Sequence, residues 1–232
     1  MLFVSMLLRN VGIPAMLARA MFNIGSVWLV FLLYATLLTL LFDLAHLILP
    51  ALRHGTLIAL GLTLVIMVAG YVNYRNPRIE EITIESPKLS HDVRLAVVSD
   101  VHLGYGTNRN KLERYVELIN RQRADVVVVV GDLIDNCITP VVGENMGEVL
   151  DGIDAPDGVY VVPGNHEYIS GIDACETFIR GTQMTLLRDS VVVLDSGIQL
   201  IGRDDRSNRR RATLDSLVAE ADMSRPIVIL DH

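Results

Sequence analysis

The chain has 232 residues, a formal net charge of -7, 51% hydrophobic residues and a mean hydropathy of +0.40. The charge argues against a nucleic-acid-binding surface, which needs clustered Lys and Arg against phosphate; the basic run Arg209-Arg210-Arg211 is adequately explained as a solvated loop or helix start. Two cysteines, Cys137 and Cys175, are too few for a disulfide framework or a thiolate metal site.

The apolar excess sits at the front. Met1 to Asn23 carries Arg9, Pro14 and Arg19 among apolar residues, which suits an interfacial or broken helix. Ile24 to Pro50 is long enough to cross a bilayer needing about 20 residues, and Thr56 to Val72 gives a second, shorter stretch. With Ala51 to Gly55 as a tight break, the pair reads as a transmembrane hairpin, each helix satisfying its own backbone. A secretory signal is the competing reading, but the apolar region is too long and lacks a small-residue cleavage site. Arg9 and Arg19 before the first span and Arg75 and Arg78 after the second, against Arg53 in the loop, place both ends in the cytoplasm of a multi-pass inner-membrane protein. Asp43 and His46 lie about one turn apart within the first span, either as functional groups or near the interface.

Asn76-Pro77 and the charged residues behind it mark the change to soluble chain, so the expected domains are 1–75, a membrane anchor, and 76–232. Beyond this point Val93 to Ser99, Val126 to Val130, Val159 to Val162, Val191 to Leu194, Ile198 to Ile201 and Ile227 to Leu230 read as buried strands. Asn110 to Gln122 and the stretch from Leu214 to Ala221 carry helical spacing. Strands alternating with helices make this a layered α/β domain.

Four strands end in chemistry-bearing residues: Ser99-Asp100-Val101-His102, Gly131-Asp132, Gly164-Asn165-His166-Glu167 and Asp231-His232. Open α/β sheets place their sites at that edge, and Asp, His and Asn are hard or borderline metal ligands. Asp100 and His102, one residue apart in an extended segment, would point the same way and share one ion. Asp132 has two oxygens with which to bridge a pair of ions, Asn165 offers a carbonyl oxygen, His232 an imidazole, and His166 stays free to act on substrate. Taken singly, each has a bland reading: Asp100 or Asp132 as a cap or turn residue, His102 or His232 as a packed or surface histidine, Glu167 as a first-turn acid. Their recurrence at equivalent strand ends shifts the weight to a metal site.

In order and strand context these residues resemble the calcineurin-like metallophosphoesterase family, whose pattern runs Asp-x-His, Gly-Asp-x-x-Asp, Gly-Asn-His-Asp/Glu, a single His, then Gly-His-x-His. The matches are Asp100-Val101-His102, Gly131 to Asp135, Gly164 to Glu167 and His232. The resemblance implies a layered metallophosphoesterase-type sandwich behind the membrane hairpin. It implies two divalent ions, with Mn first and Fe, Zn or Mg compatible. Asp100 and His102 would bind the first, Asp132 would bridge, and Asn165 and His232 would bind the second, with His166 protonating the leaving oxygen or stabilising the transition state. Asp135 looks like a supporting residue. The substrate would be a phosphomonoester or phosphodiester, lipid-linked at the bilayer in one version, attacked by metal-activated hydroxide.

No Gly-His-x-His occurs in these residues, which would leave each ion short of a ligand. The expectation is a chain cut ahead of that motif and inactive as given. The rival is a non-catalytic membrane protein keeping the fold for partner or single-metal binding. A nucleotide-binding module is disfavoured: there is no Gly-x-x-x-x-Gly-Lys-Ser/Thr, and Gly104-Tyr105-Gly106 lacks the rest of a dinucleotide fingerprint.

Overall fold

The computed structural model describes residues 15–232, which fall into two compact units, one ending at Ile84 and one spanning Glu85–His232. In the first, helix α1 (Ala15–Ile48) and helix α2 (Gly55–Arg75) pack on each other across a single 3-10 turn, Pro50–Leu52. Pro50 ends α1 because proline has no N–H to continue the ladder. Ala15 to Asn23 is not a separate interfacial or broken element, since it runs unbroken into the apolar stretch; Met1 to Pro14 lie outside the described residues. The resulting 34-residue helix reaches about 51 Å at 1.5 Å per residue, well beyond a hydrocarbon core of about 30 Å.

Both helices are long and apolar enough to cross a membrane. Leu29, Leu33, Leu37, Leu40 and Leu44 of α1 and Leu57, Leu64, Val65 and Val68 of α2 stand exposed, whereas a helix of a water-soluble protein would bury its apolar stripe. The buried stripe of α2 is instead made of small residues four apart, Gly55, Ala59 and Thr63, which lets helix backbones approach closely. Thr63 satisfies its hydroxyl on the Ala59 carbonyl at 2.8 Å.

The second unit holds two sheets. Strands β1 (Leu95–Val98), β2 (Val126–Val130), β3 (Val159–Val162) and the two-residue β4 (Thr185–Leu186) pair in that order, all parallel. Strands β5 (Ser190–Val193), β6 (Gln199–Gly202) and β7 (Ile227–Leu230) form the other, antiparallel between β5 and β6 and parallel between β6 and β7. Helix α3 (Arg109–Arg121) links β1 to β2, two single-turn helices α4 (Thr139–Gly143) and α5 (Met146–Leu150) link β2 to β3, α6 (Asn165–Ser170) and α7 (Ile172–Arg180) link β3 to β4, and α8 (Leu214–Glu220) precedes β7.

Strand β2 shows why the sequence takes this form. Its five consecutive valines have no polar face because both faces are covered. Val127 and Val129 join Leu112 and Val116 of α3 and Met146 and Leu150 of α5 in one core. Val126 and Val128 point the other way and meet Leu200 of β6 and Leu230 of β7 in a second core between the sheets. β2, β3 and β7 begin and end as the sequence pattern predicts, and β1, β5, β6, α3 and α8 differ by a residue or two at their ends. β4 is too short to leave a periodic signal.

Candidate metal centre

The chain segments that leave β1, β2 and β3 are stitched together beyond the strands. The N–H of Asp100 donates to the Gly131 carbonyl at 3.2 Å, that of His102 to Asp132 at 2.9 Å, and that of Gly131 to Val162 at 3.1 Å. The expectation that Asp100 and His102 sit on an extended segment is corrected here: β1 stops at Val98, and both residues are left-handed, at φ 54° and 50°. Asp132 is left-handed too, at φ 51°. Such backbone costs on the order of 1–3 kcal/mol per residue outside glycine and gathers where the surrounding structure forces it. The side chains still converge, through the turn geometry and not through strand alternation.

The convergence is tight. His102 Nε2 and His232 Nε2 each lie 3.7 Å from Asp100 Oδ1 and 3.7 Å from Asp132 Oδ2. Two glycines make room for it. A Cβ at Gly131, itself at φ +75°, would fall 2.3 Å from the His232 ring, and one at Gly164 would fall 2.2 Å from Asp132 Oδ1. Asp132 divides its work: Oδ1 accepts the His166 N–H at 2.9 Å, leaving Oδ2 to face both imidazoles. Asn165, exposed, opens α6 behind Pro163-Gly164 at the end of β3.

Glu167 does more than start a helix. Buried to 1% exposure, its carboxylate accepts the N–H groups of Asp132 at 3.1 Å, Ile134 at 2.7 Å and Gly164, the residue before its own helix, at 2.7 Å, which pins the Gly131-Asp132 turn. Burial pushes its carboxyl above the usual range, against the pull of the Ile134 and Gly164 N–H groups. On the exposed side, the Ser99 hydroxyl holds Asp100 below the usual carboxylate range against slight burial, with His232 and His102 adding to the effect.

Two carboxylates that the sequence reading did not place stand behind the imidazoles. Asp135, expected only as a supporting residue, lies 3.1 Å from His166 Nδ1 and 3.6 Å from His102 Nδ1 through the same oxygen. The His102 and His166 rings meet edge to face at 4.4 Å between centroids. Asp205, buried, lies 3.8 Å from His232 Nδ1. A carboxylate behind a histidine fixes which nitrogen is free for a metal. Asp204-Asp205 follows the apolar run of β6 and Gly202, a fifth instance of the strand-end pattern, which is the signal that could have found it.

The donor set fits divalent cations. Separations of 3.7 Å are too long for hydrogen bonds but suit two donors that each reach about 2.1 Å to one ion. Asp132 with Asp100 and His232, and Asp132 with His102 and His166, are each grouped closely enough to hold a cation.

Sheet order, strand-end placement and an acid-imidazole cluster define a layered α/β domain built around a candidate metal site. Residues 93–217 match the family described as calcineurin-like phosphoesterase, so the chain belongs to that family. That span contains Asp100, His102, Asp132, Asn165 and His166. The chain is 31% identical over 166 residues to an uncharacterized metallophosphoesterase of Helicobacter pylori, covering 70% of this chain and 44% of that protein. It is 37% identical over 117 residues to a transmembrane protein with metallophosphoesterase domain of Danio rerio, covering 49% of this chain and 26% of that one. The chain thus spans less than half the length of either. Among solved structures, a 5'-nucleotidase precursor from Thermus thermophilus overlaps with a TM-score of 0.42 at 14% identity, over 60% of this chain and 37% of that one.

Proposed function

We propose that this chain carries the metal-binding part of a membrane-anchored phosphoesterase that hydrolyses a phosphomonoester or phosphodiester with two divalent ions, Mn the first choice. The observation that carries the reading is the approach of both His102 Nε2 and His232 Nε2 to the same oxygen pair, Asp100 Oδ1 and Asp132 Oδ2. Ions bound there supply Lewis acidity toward a phosphoryl oxygen and lower the pKa of water. Asp100 and His102 would hold one ion and Asn165 and His232 the other, with Asp132 as their common ligand. Asp135 faces His166 Nδ1 at 3.1 Å and would favour the doubly protonated ring, whose other nitrogen would then give its proton to the departing alcohol. The two apolar helices hold the domain at a membrane, and the arginine balance of their flanks puts it on the cytoplasmic side. A lipid-linked phosphoester is the substrate this anchoring favours.

The test is hydrolysis of p-nitrophenyl phosphate and its diester by protein made from the complete reading frame, with Mn, Fe, Zn or Mg added in turn. Turnover that EDTA removes and that Asp132→Asn abolishes is expected. Metal binding without turnover under all four ions would overturn the reading in favour of a non-catalytic scaffold.

A further inference from the structure

The basic run that the sequence reading set aside as solvated is part of a rigid loop beside the metal ligands. Residues 203–213, between β6 and α8, hold five arginines. Arg203 and Arg211 are spent on Asp231, the neighbour of His232, and Arg211 also donates to the Asp204 carbonyl. The loop backbone is held at several points. Asp189 accepts the N–H groups of Asp204 at 3.0 Å and Ala212 at 2.8 Å; Asp205 accepts Ser207 N–H at 2.8 Å; Asn208 accepts Arg210 N–H at 3.0 Å. Buried Asp204 takes bonds from Arg188, Tyr168 and Asn208, anchoring the loop from beneath.

Three guanidinium groups are left over. Arg206, Arg209 and Arg210 are exposed, and none has an ion-pair or side-chain hydrogen-bond partner among the described residues. Their place is specific: Arg206 directly follows Asp205, whose carboxylate faces His232, and Arg210 directly precedes Arg211, which grips Asp231. In a chain of net charge -7, this leaves three exposed arginines on a hydrogen-bonded loop whose Asp205 and Arg211 reach His232 and Asp231. A planar guanidinium matches a phosphoryl group with two parallel N–H donors, which makes arginine the side chain suited to an anionic oxygen cluster.

We propose that Arg206, Arg209 and Arg210 form a subsite for a second phosphoryl group of the substrate, beside the one that reacts at the Asp132 cluster. The substrate class is then an ester bearing two phosphoryl groups, as a diphosphate linkage or as two separate phosphates, borne by a lipid headgroup or by a soluble molecule. The proposal rests on the phosphoesterase reading for the word substrate, but the binding it asserts does not.

The experiment compares the full chain with the triple variant Arg206→Ala/Arg209→Ala/Arg210→Ala, both stripped with EDTA and titrated calorimetrically with inorganic pyrophosphate. A second arm uses phosphatidylcholine bilayer discs with and without phosphatidic acid. These side chains are exposed, so the unfolding midpoint of the variant serves as the check on its fold. At least a tenfold loss of affinity in the variant is expected for one ligand form, a size set by losing charge-assisted contacts. Loss for pyrophosphate assigns a soluble source, and loss only for phosphatidic acid discs assigns a headgroup. In the Mn-loaded protein, KM for a diphosphate ester is expected to rise at least tenfold more than KM for p-nitrophenyl phosphate. Equal affinities of wild type and variant in both arms, or equal KM shifts for both substrates, would overturn the subsite. Wild-type pyrophosphate binding that depends on the arginines, with no hydrolysis of any ester, would count against the phosphoesterase reading and for the subsite.

Discussion

The two carboxylates at the centre of the cluster are built in opposite ways. Asp132 is 5% exposed in its side chain, left-handed, and tied at both ends of the residue: its N–H goes to Glu167 and its Oδ1 takes the His166 N–H. Asp100 is 56% exposed and has the Ser99 hydroxyl as its main polar support. Both backbones are held by hydrogen bonds, but the Asp132 carboxylate is enclosed while that of Asp100 faces solvent.

The largest effect should follow from Asp132→Asn. The amide oxygen can still accept the His166 N–H, so the fold should survive with an unchanged unfolding midpoint. The loss of charge at Oδ2 removes the shared ligand, and kcat toward p-nitrophenyl phosphate should fall by at least about a thousandfold, on the scale of losing a principal electrostatic group. A variant within tenfold of wild type would mean that the buried carboxylate is structural only, and the contrast with Asp100 would collapse.

Next in size is Glu167→Gln. The amide would turn an N–H₂ group toward N–H donors of Asp132, Ile134 or Gly164, leaving buried groups unpaired at a cost of about 1–3 kcal/mol. Urea denaturation should show this loss, accompanied by weaker metal binding because the Asp132 turn loosens. Lost stability with unchanged metal affinity would show that Asp132 does not need its backbone support.

Asp100→Asn should do the reverse. An exposed carboxylate outside the core contributes within about 0.5 kcal/mol to stability, whereas removing a charged ligand should weaken metal binding by about tenfold to a hundredfold. Calorimetric titration with Mn, read beside the denaturation midpoint, separates Asp100→Asn, which moves affinity without stability, from Glu167→Gln, which moves both.

How much of this was legible in the chain follows from what each feature depends on. The five valines of β2 and the apolar runs of β3 and β7 announce themselves because burial on two faces is a property of consecutive residues. That Asp100, His102, Asp132 and His232 converge is legible from strand-end position, but Asp100 and His102 meet through turn geometry and not through the alternation of an extended strand. Left-handed backbone at three non-glycine residues is imposed by hydrogen bonds from other strands, and no local pattern encodes it. Glu167 reads locally as a first-turn acid, and only the approach of the Gly131-Asp132 turn makes it a brace. Asp205 carried the same strand-end signal as Asp132 and went unread because the resemblance supplied no motif at that position.

The smallest expected effect concerns acid stability and compares the carboxyls beneath the two halves. Burial pushes Asp204 up, but hydrogen bonds from Asn208, Tyr168 and Arg188 outweigh it and hold the group below its usual value. Its contribution is therefore fully present above the unfolded value of about 3.9 and is lost as pH falls through the lower folded value. Glu167 runs the other way: its folded carboxyl is raised, so the folded state takes up a proton first, and this term favours folding as pH falls through that range. Acid unfolding should consequently track Asp204, not Glu167. Arg188→Met should remove part of the stability above pH about 4, by about 1–3 kcal/mol given the partial exposure of Arg188, and flatten the pH dependence below that value. A denaturation series from pH 2 to 7 checks it, and a slope unchanged by the substitution would place the acid sensitivity in some other carboxylate.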